Sequence, residues 1–158
     1  MAQFLSAQGI VLPVRSLEYP LNEIENLLAL DAYGRAYNEL CTKVFPTNPD
    51  HPRANLLAAI ALLKGQSADK LNASQTARVQ NHLLKSIEHA ATSKTAYALL
   101  GIVTYDHFVA NGIFEGQPSF ATVRQAFDES AGEVEHVLLQ HVKASSKILK
   151  LLGLQQAT

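Results

Sequence analysis

Apolar residues recur every three or four positions along most of this chain, and this spacing is typical of one face of an α-helix. Alternating patterns that would indicate β-strands are scarce, and the best of them, residues 9–14, is interrupted by Pro13. The predicted helices span residues 21–30, 31–45, 52–64, 75–91, 94–111 and 120–153, the last with a break near 130–132. The pattern therefore predicts an all-α fold.

Residues that favour helix ends lie at most of these boundaries. A short polar side chain before a helix can accept a hydrogen bond from an unpaired amide of its first turn. The expected N-caps are Asp50, Asn72 or Ser74, Ser93 and Ser119. Gly65 is suited to the C-terminal end of the third helix. The short connections favour antiparallel helical hairpins packed in one domain over residues 1–158.

The composition is that of a folded domain and carries no strong charge signal. Of the 158 residues, 47% are hydrophobic and 17% are charged, and the net charge is −1. A chain of this size and hydrophobicity can bury a core. No cluster of Lys and Arg occurs in the sequence, so neither nucleic acid nor an anionic membrane surface is an expected partner.

The sequence favours a cytoplasmic location. Cys41 is the only cysteine, which excludes an internal disulfide and fits a reducing compartment. No run of about 18 apolar residues is present, so no membrane span is expected. The first 20 residues lack the basic and apolar regions of a signal peptide.

One stretch has the residue order of a known helical repeat. Tyr97 is followed by the pair Leu100-Gly101. The preceding helix contains a small or medium-sized, a large and a small side chain in that order, at Val79, Leu83 and Ser86. In this order and spacing the chain resembles the tetratricopeptide repeat (TPR), a 34-residue helix–turn–helix unit. The resemblance implies hairpins stacked side by side into a short superhelix.

A second, degenerate unit lies upstream in the same register. Ala54, the pair Leu57-Ala58 and Ala61 match positions of the first helix, and Gly65 matches the turn glycine. Thr104 departs from the repeat, which usually has an aromatic residue at that position. The sequence match to the repeat extends over roughly residues 33–110, and the TPR-like hairpins are expected to span residues 33–112. Residues 119–153 are expected to form C-terminal capping helices. A non-repeating helical bundle is the alternative.

The resemblance also implies a function. TPR proteins bind a peptide or a partner helix on a concave surface lined by their first helices. The positions that match this surface are Asn55, Ala59, Leu62, Leu63, Ala98, Ile102, Tyr105 and Asp106. Tyr105 is the best candidate anchor, because an aromatic ring with a polar tip offers a large contact area at a low entropic cost. No basic clamp for a carboxylate is visible, so an apolar or aromatic ligand is expected.

The candidates for enzyme chemistry are weaker than this surface. Glu133 and His136 form an E-x-x-H unit, but di-iron bundles need a second such unit and two further glutamates, which the sequence does not supply. Cys41 has no histidine at helical spacing and is expected to be a buried small hydrophobe. No phosphate-binding or hydrolase motif occurs. We therefore predict no catalytic residue, metal site or cofactor.

These observations predict a non-enzymatic protein–protein interaction module. The alternative is a self-associating structural or small-ligand-binding helical bundle. In that alternative the apolar stripe between Val134 and Leu152 would dock on a second subunit and form a homo-dimer.

Overall fold

A computed structural model describes residues 15–109, 112 and 119–154, and these residues form an all-α fold. The helices are α1 (Arg15–Ala29), α2 (Tyr33–Glu39), α3 (Pro52–Leu63), α4 (Ala73–Ser86), α5 (Ala90–Val103), α6 (Phe120–Glu129), α7 (His136–Leu139) and α8 (Ser146–Leu151). Two π-helical segments, Leu40–Val44 and Thr104–Val109, continue α2 and α5. The predicted strand candidate at 9–14 lies outside the described residues.

Two of the expected helix caps are confirmed. Asn72 Oδ1 accepts a hydrogen bond from the backbone N–H of Gln75 at 2.8 Å, and the Gln75 side chain accepts one from the Asn72 N–H at 2.9 Å. This reciprocal pair is a capping box, which satisfies two amides that the helix cannot. Ser119 caps α6 through the N–H of Thr122 at 3.3 Å.

The caps of α3 and α5 are histidines, so the predictions of Asp50 and Ser93 were wrong. His51 Nδ1 accepts from the N–H of Ala54 at 3.2 Å, and His89 Nδ1 accepts from the N–H of Ala91 at 3.3 Å. A neutral imidazole nitrogen offers the same lone pair as a carboxylate or hydroxyl oxygen.

The two ends of the chain depart furthest from the predicted helices. α1 begins at Arg15 and contains Pro20, although the prediction placed its start after this proline. The proline ring fixes φ near its helical value, which is compatible with a helix, although Pro20 has no N–H to donate to the carbonyl four residues earlier. The region 120–153, predicted to be helical with a break near 130–132, contains three helices, and the chain turns at Gly132, whose φ is +88°.

Helices that follow one another in the chain pack against one another. α2 contacts α3, α3 contacts α4, α4 contacts α5 and α5 contacts α6. α3 is at the centre, with every side chain from Ala54 to Ala61 buried. α5 is apolar around most of its circumference, and a helix of this kind is stable only when it is covered on several sides. In this protein α4, α6 and α8 cover it. Among the described helices, none is long and apolar enough to cross a membrane.

Candidate functional site

The predicted partner-binding residues lie mostly inside the protein. Asn55, Ala59, Leu63 and Ala98 are fully buried, Ile102 is 1% exposed and Asp106 is 4% exposed. Only Leu62 and Tyr105 are partly exposed. The predicted side chains contact other parts of this chain, and these two do so while remaining partly exposed. The role of the whole set in binding a partner stays a prediction.

Residues 134–154, which we call the C-terminal segment, cover the α5 part of this face. The closest atom to the position where a Cβ would stand on Gly101 is Leu152 Cδ1, at 3.4 Å. The Asp106 carboxylate accepts a hydrogen bond from the Ser145 N–H at 3.0 Å and another from the Ser145 hydroxyl at 2.7 Å. The Ser145 hydroxyl also caps α8. A predicted ligand-facing residue, Asp106, is therefore an anchor for the chain's own segment.

The beginning of the C-terminal segment is held at the first turn of α3. The Glu135 carboxylate accepts a hydrogen bond from Arg53 Nη1 at 2.6 Å, and the Glu135 N–H donates to Thr95 Oγ1 on α5 at 3.0 Å. Further on, Lys143 forms an isolated β-bridge with Ser67, which lies beyond the end of α3. The segment therefore runs along α3 and then returns along α5.

α6 covers the outer part of α5. The ring of Phe120 packs edge-on against Tyr105, with a centroid distance of 5.3 Å. Lys94 Nζ donates to the carbonyl oxygen of Phe127 at 2.7 Å and lies 4.0 Å from the centroid of the Phe127 ring. The lysine thus satisfies a carbonyl at the C-terminal end of α6, where a positive charge is favourable.

Asn55 belongs to a buried hydrogen-bond network. Asn55 Nδ2 donates to the carbonyl oxygens of Pro49 at 3.0 Å and His51 at 2.9 Å. Its Oδ1 is therefore left to accept from His82 Nδ1, at 2.7 Å. This places the His82 proton on Nδ1, so that Nε2 accepts from the Tyr37 hydroxyl at 3.3 Å. A buried asparagine in the apolar run of α3 was a sequence signal for such a network.

His82 is uncharged in this network at neutral pH. Burial, together with the smaller effect of the positive charges of Lys85 and Arg78, lowers the pKa of His82 to about 4. The Phe45 ring stacks on the imidazole with a centroid distance of 5.5 Å and an interplanar angle of 15°. A histidine held neutral by apolar contact and two hydrogen bonds fixes the packing of α2, α3 and α4.

A second polar cluster joins the α1–α2 turn to the C-terminal segment. The Tyr33 hydroxyl donates to Asp31 Oδ1 at 3.0 Å, and its oxygen lies 3.0 Å from His141 Nδ1. His141 Nδ1 is also 3.6 Å from Asp31 Oδ1. These groups line an open cleft of about 500 Å³, which we call the His141 cleft and which also includes Ala29, Gly65, Gln140 and Lys143.

Tyr33 stays protonated in the His141 cleft. Burial raises the pKa of Tyr33, and the hydrogen bond to the Asp31 carboxylate and its negative charge raise it further. A protonated Tyr33 that donates to Asp31 can accept from the His141 Nδ1–H. The three groups therefore form a chain of bonds from imidazole to hydroxyl to carboxylate. No sequence pattern indicated this cluster, because Tyr33 and His141 are 108 residues apart.

The candidates for redox or metal chemistry are dispersed. Cys41 is exposed, so its prediction as a buried residue was wrong. Glu133 and His136 are both exposed. Within the part of the chain that the structure describes, no group of three or more His, Cys, Asp and Glu residues is placed to hold a metal ion.

Comparison of this chain with protein-family models, with curated proteins and with solved structures finds no match. A functional hypothesis for this chain therefore depends on its own residues and contacts.

Proposed function

We propose that this chain is a non-enzymatic, TPR-like protein–protein interaction module of the cytoplasm. It holds an apolar peptide or a partner helix against the face formed by α3 and α5. In the proposed mechanism the C-terminal segment occupies this face as an internal ligand until a partner replaces it. The observation that carries the proposal is the docking of this segment between Arg53 and Asp106.

The C-terminal segment has the properties of a bound peptide. Its two helices have only four and six residues, and helices this short are not stable without packing. Its buried apolar side chains are Val134, Leu138, Leu139, Ile148 and Leu152. Spaced apolar anchors with a few directed polar contacts are the usual means by which a helical groove recognises a peptide. We expect a partner to present similar apolar anchors and a hydroxyl group for Asp106.

Covalent attachment gives the C-terminal segment an advantage over a free partner. A segment tethered by a short linker has an effective concentration in the millimolar range. A partner must therefore bind this face more tightly than the C-terminal segment does, or the contacts of the segment with the face must first be weakened. Loosened variants of the full chain consequently provide the clearest test.

The test measures binding of a fluorescent synthetic peptide of residues 134–154 to the full chain. The double variant Ser145→Ala, Leu152→Ala removes two anchors of the internal segment, while the peptide keeps the native anchors. We expect the variant to bind the peptide at least about tenfold more tightly than the unmodified chain does, because the internal competitor is weaker. Fluorescence anisotropy gives both affinities.

Two controls make the result specific. Ser146→Ala changes the neighbouring exposed serine and should leave peptide binding at the level of the unmodified chain. A peptide carrying its own Leu152→Ala substitution should bind weakly to the loosened chain. If the loosened chain keeps its helicity by circular dichroism and still does not bind the native peptide, the proposal is wrong.

A further inference from the structure

The hydrogen bonds of the His141 cleft leave particular atoms available to a ligand. His141 Nδ1 donates to Tyr33, so in the neutral ring the unprotonated nitrogen is Nε2. Nε2 has no hydrogen-bond partner among the described residues, and the His141 side chain is 14% exposed. In this neutral form Nε2 can accept a hydrogen bond, and no described residue donates one to it.

Asp31 supplies a second free acceptor and a negative charge. Only its Oδ1 contacts Tyr33 and His141, and 72% of its side chain is exposed. Within the described part of the chain, Oδ2 forms no hydrogen bond. Two acceptors and one negative charge in the same cleft are suited to a primary ammonium group, which has three donors and no acceptor.

The same cleft also contains a cation. Lys143 lines it and is exposed, and its ammonium forms no bond with the residues that the structure describes. Its backbone is fixed by the bridge to Ser67. A lysine ammonium placed in this way is suited to a carboxylate. The side-chain amide of Gln140 adds both a donor and an acceptor to the lining.

The backbone at Asp31 adds a second observation. Its φ is +59°, in the left-handed region where glycine has the lowest energy. Asp31 ends α1 by a 2.9 Å hydrogen bond from its N–H to Leu28, and Ala32 donates to Leu27 at 2.8 Å. Glycine is the usual residue at this position of such a helix end. An aspartate in its place gives up some stability and supplies a carboxylate to the cleft.

We propose that the His141 cleft binds a small zwitterion, which is an amino acid or a short peptide with a free ammonium group and a free carboxylate. The ammonium donates to Asp31 Oδ2 and His141 Nε2, and the carboxylate accepts from Lys143. The cleft volume of about 500 Å³ is within the range of small-ligand sites. This proposal does not depend on the proposed peptide-binding function.

NMR titration of the full chain tests this inference with matched probes. L-alanine, L-leucine and L-glutamine are the zwitterions, their amides lack the carboxylate, and their N-acetyl derivatives lack the ammonium charge. We expect at least one zwitterion to shift the ring signals of His141 and to bind at least about tenfold more tightly than its amide and its N-acetyl derivative. Lys143→Met should abolish the preference for the zwitterion over its amide, and Lys147→Met, an exposed control, should leave it unchanged.

A second variant separates a loss of binding from a loss of folding. Asp31→Gly removes the carboxylate and suits the left-handed backbone, so its thermal stability should remain close to that of the unmodified chain. Its affinity for the zwitterion should fall at least about tenfold. If no zwitterion shifts the His141 signals at about 10 mM, or if the amides and N-acetyl derivatives bind equally well, the proposal is overturned.

Discussion

Asn55 has all of its hydrogen-bonding groups satisfied inside the protein. It fixes the turn before α3 through the carbonyl oxygens of Pro49 and His51, and it selects the tautomer of His82. Its side chain is fully buried. An unpaired polar group in such a place costs free energy, so the network stabilises the fold only while it is complete.

We expect Asn55→Ala to lower the free energy of unfolding by about 3 kcal/mol, because two carbonyl groups and the His82 N–H then lose their partner. Urea denaturation followed by circular dichroism measures this change. Asn38→Ala removes an exposed asparagine and should change the stability by less than about 0.5 kcal/mol. Equal effects of the two substitutions would show that the network contributes little.

The lowered pKa of His82 predicts a loss of stability in mild acid. The pKa of His82 is about 4 in the folded state and 6.5 ordinarily. Between these two pH values His82 is protonated in the unfolded chain and neutral in the folded chain. The stability from this residue is complete above pH 6.5 and decreases as the pH falls to about 4. Solvent screening of the partly exposed ring limits the loss to on the order of 1–2 kcal/mol.

Unfolding at a series of pH values checks this prediction against the variant His82→Gln. The slope of stability between pH 6.5 and 4 should be smaller in the variant than in the unmodified chain. The pKa of His51 is also lowered by burial, so the variant keeps part of the slope. A direct NMR titration that gives His82 a pKa near 6.5 would contradict the prediction.

Among the helices, α5 and α8 depend on each other through Gly101. A Cβ at this position would lie 3.4 Å from Leu152 Cδ1 and 3.8 Å from Phe120 Cε1, both side-chain atoms. A glycine, which has no side chain, allows neighbouring groups to approach the backbone closely. The close approach is by Leu152, which directly follows α8, and by Phe120 of α6, and it leaves room for a methyl group but not for a larger side chain.

Two substitutions at Gly101 should therefore have opposite effects. Gly101→Ala should raise the free energy of unfolding by roughly 0.5–1 kcal/mol, because alanine favours the helix and its Cβ makes ordinary contacts. Gly101→Leu should displace Leu152 and release α8. Limited proteolysis between α6 and α8 should then be faster in the leucine variant than in the alanine variant. Similar cleavage rates would mean that Leu152 does not hold the C-terminal segment.

Short-range sequence patterns predicted the helices better than they predicted the breaks between helices. The capping box of Asn72 is visible in the sequence because its partner, Gln75, is three residues away. The histidine caps were missed because Ser, Asp and Asn are the usual acceptors. The breaks after α6 were only partly predicted. An apolar stripe continues through Gly132, and the tertiary contacts of the C-terminal segment, rather than its spacing, determine where the helices end.

For the molecule as a whole, Arg53 connects parts that are distant in the sequence. Its guanidinium binds Glu25 on α1 at 3.0 Å and Glu135 in the C-terminal segment at 2.6 Å. The Arg53 side chain is 28% exposed. Charge-assisted hydrogen bonds in a half-buried place are stronger than those of exposed pairs.

We expect Arg53→Met to lower the free energy of unfolding by about 1–3 kcal/mol, since two carboxylates lose their donor. A double-mutant cycle with Glu135→Gln should give a coupling energy of about 1 kcal/mol or more. The exposed pair Lys43–Glu39, with a lysine 58% exposed, should couple by at most about 0.5 kcal/mol in the same assay. Equal coupling in the two pairs would contradict a special role for Arg53.

Contacts between segments that are distant in the sequence could not be predicted from the sequence pattern. Helical spacing indicates which residues share a face, but it does not indicate which distant segment covers that face. Asp106 was predicted to face a partner, and its contact with Ser145 depends on a chain path that no local pattern encodes. The His141 cleft likewise forms only when the fold brings the α1–α2 turn and the C-terminal segment together.

The 108-residue separation of Tyr33 and His141 has a consequence for the order of events during synthesis. α1 to α5 pack on their neighbours in the chain, so they can assemble as they leave the ribosome. The C-terminal segment emerges later, and until then the face of α3 and α5 is uncovered and the His141 cleft is incomplete. Until this segment has been synthesised, a nascent chain therefore exposes apolar side chains that the segment covers in the folded protein.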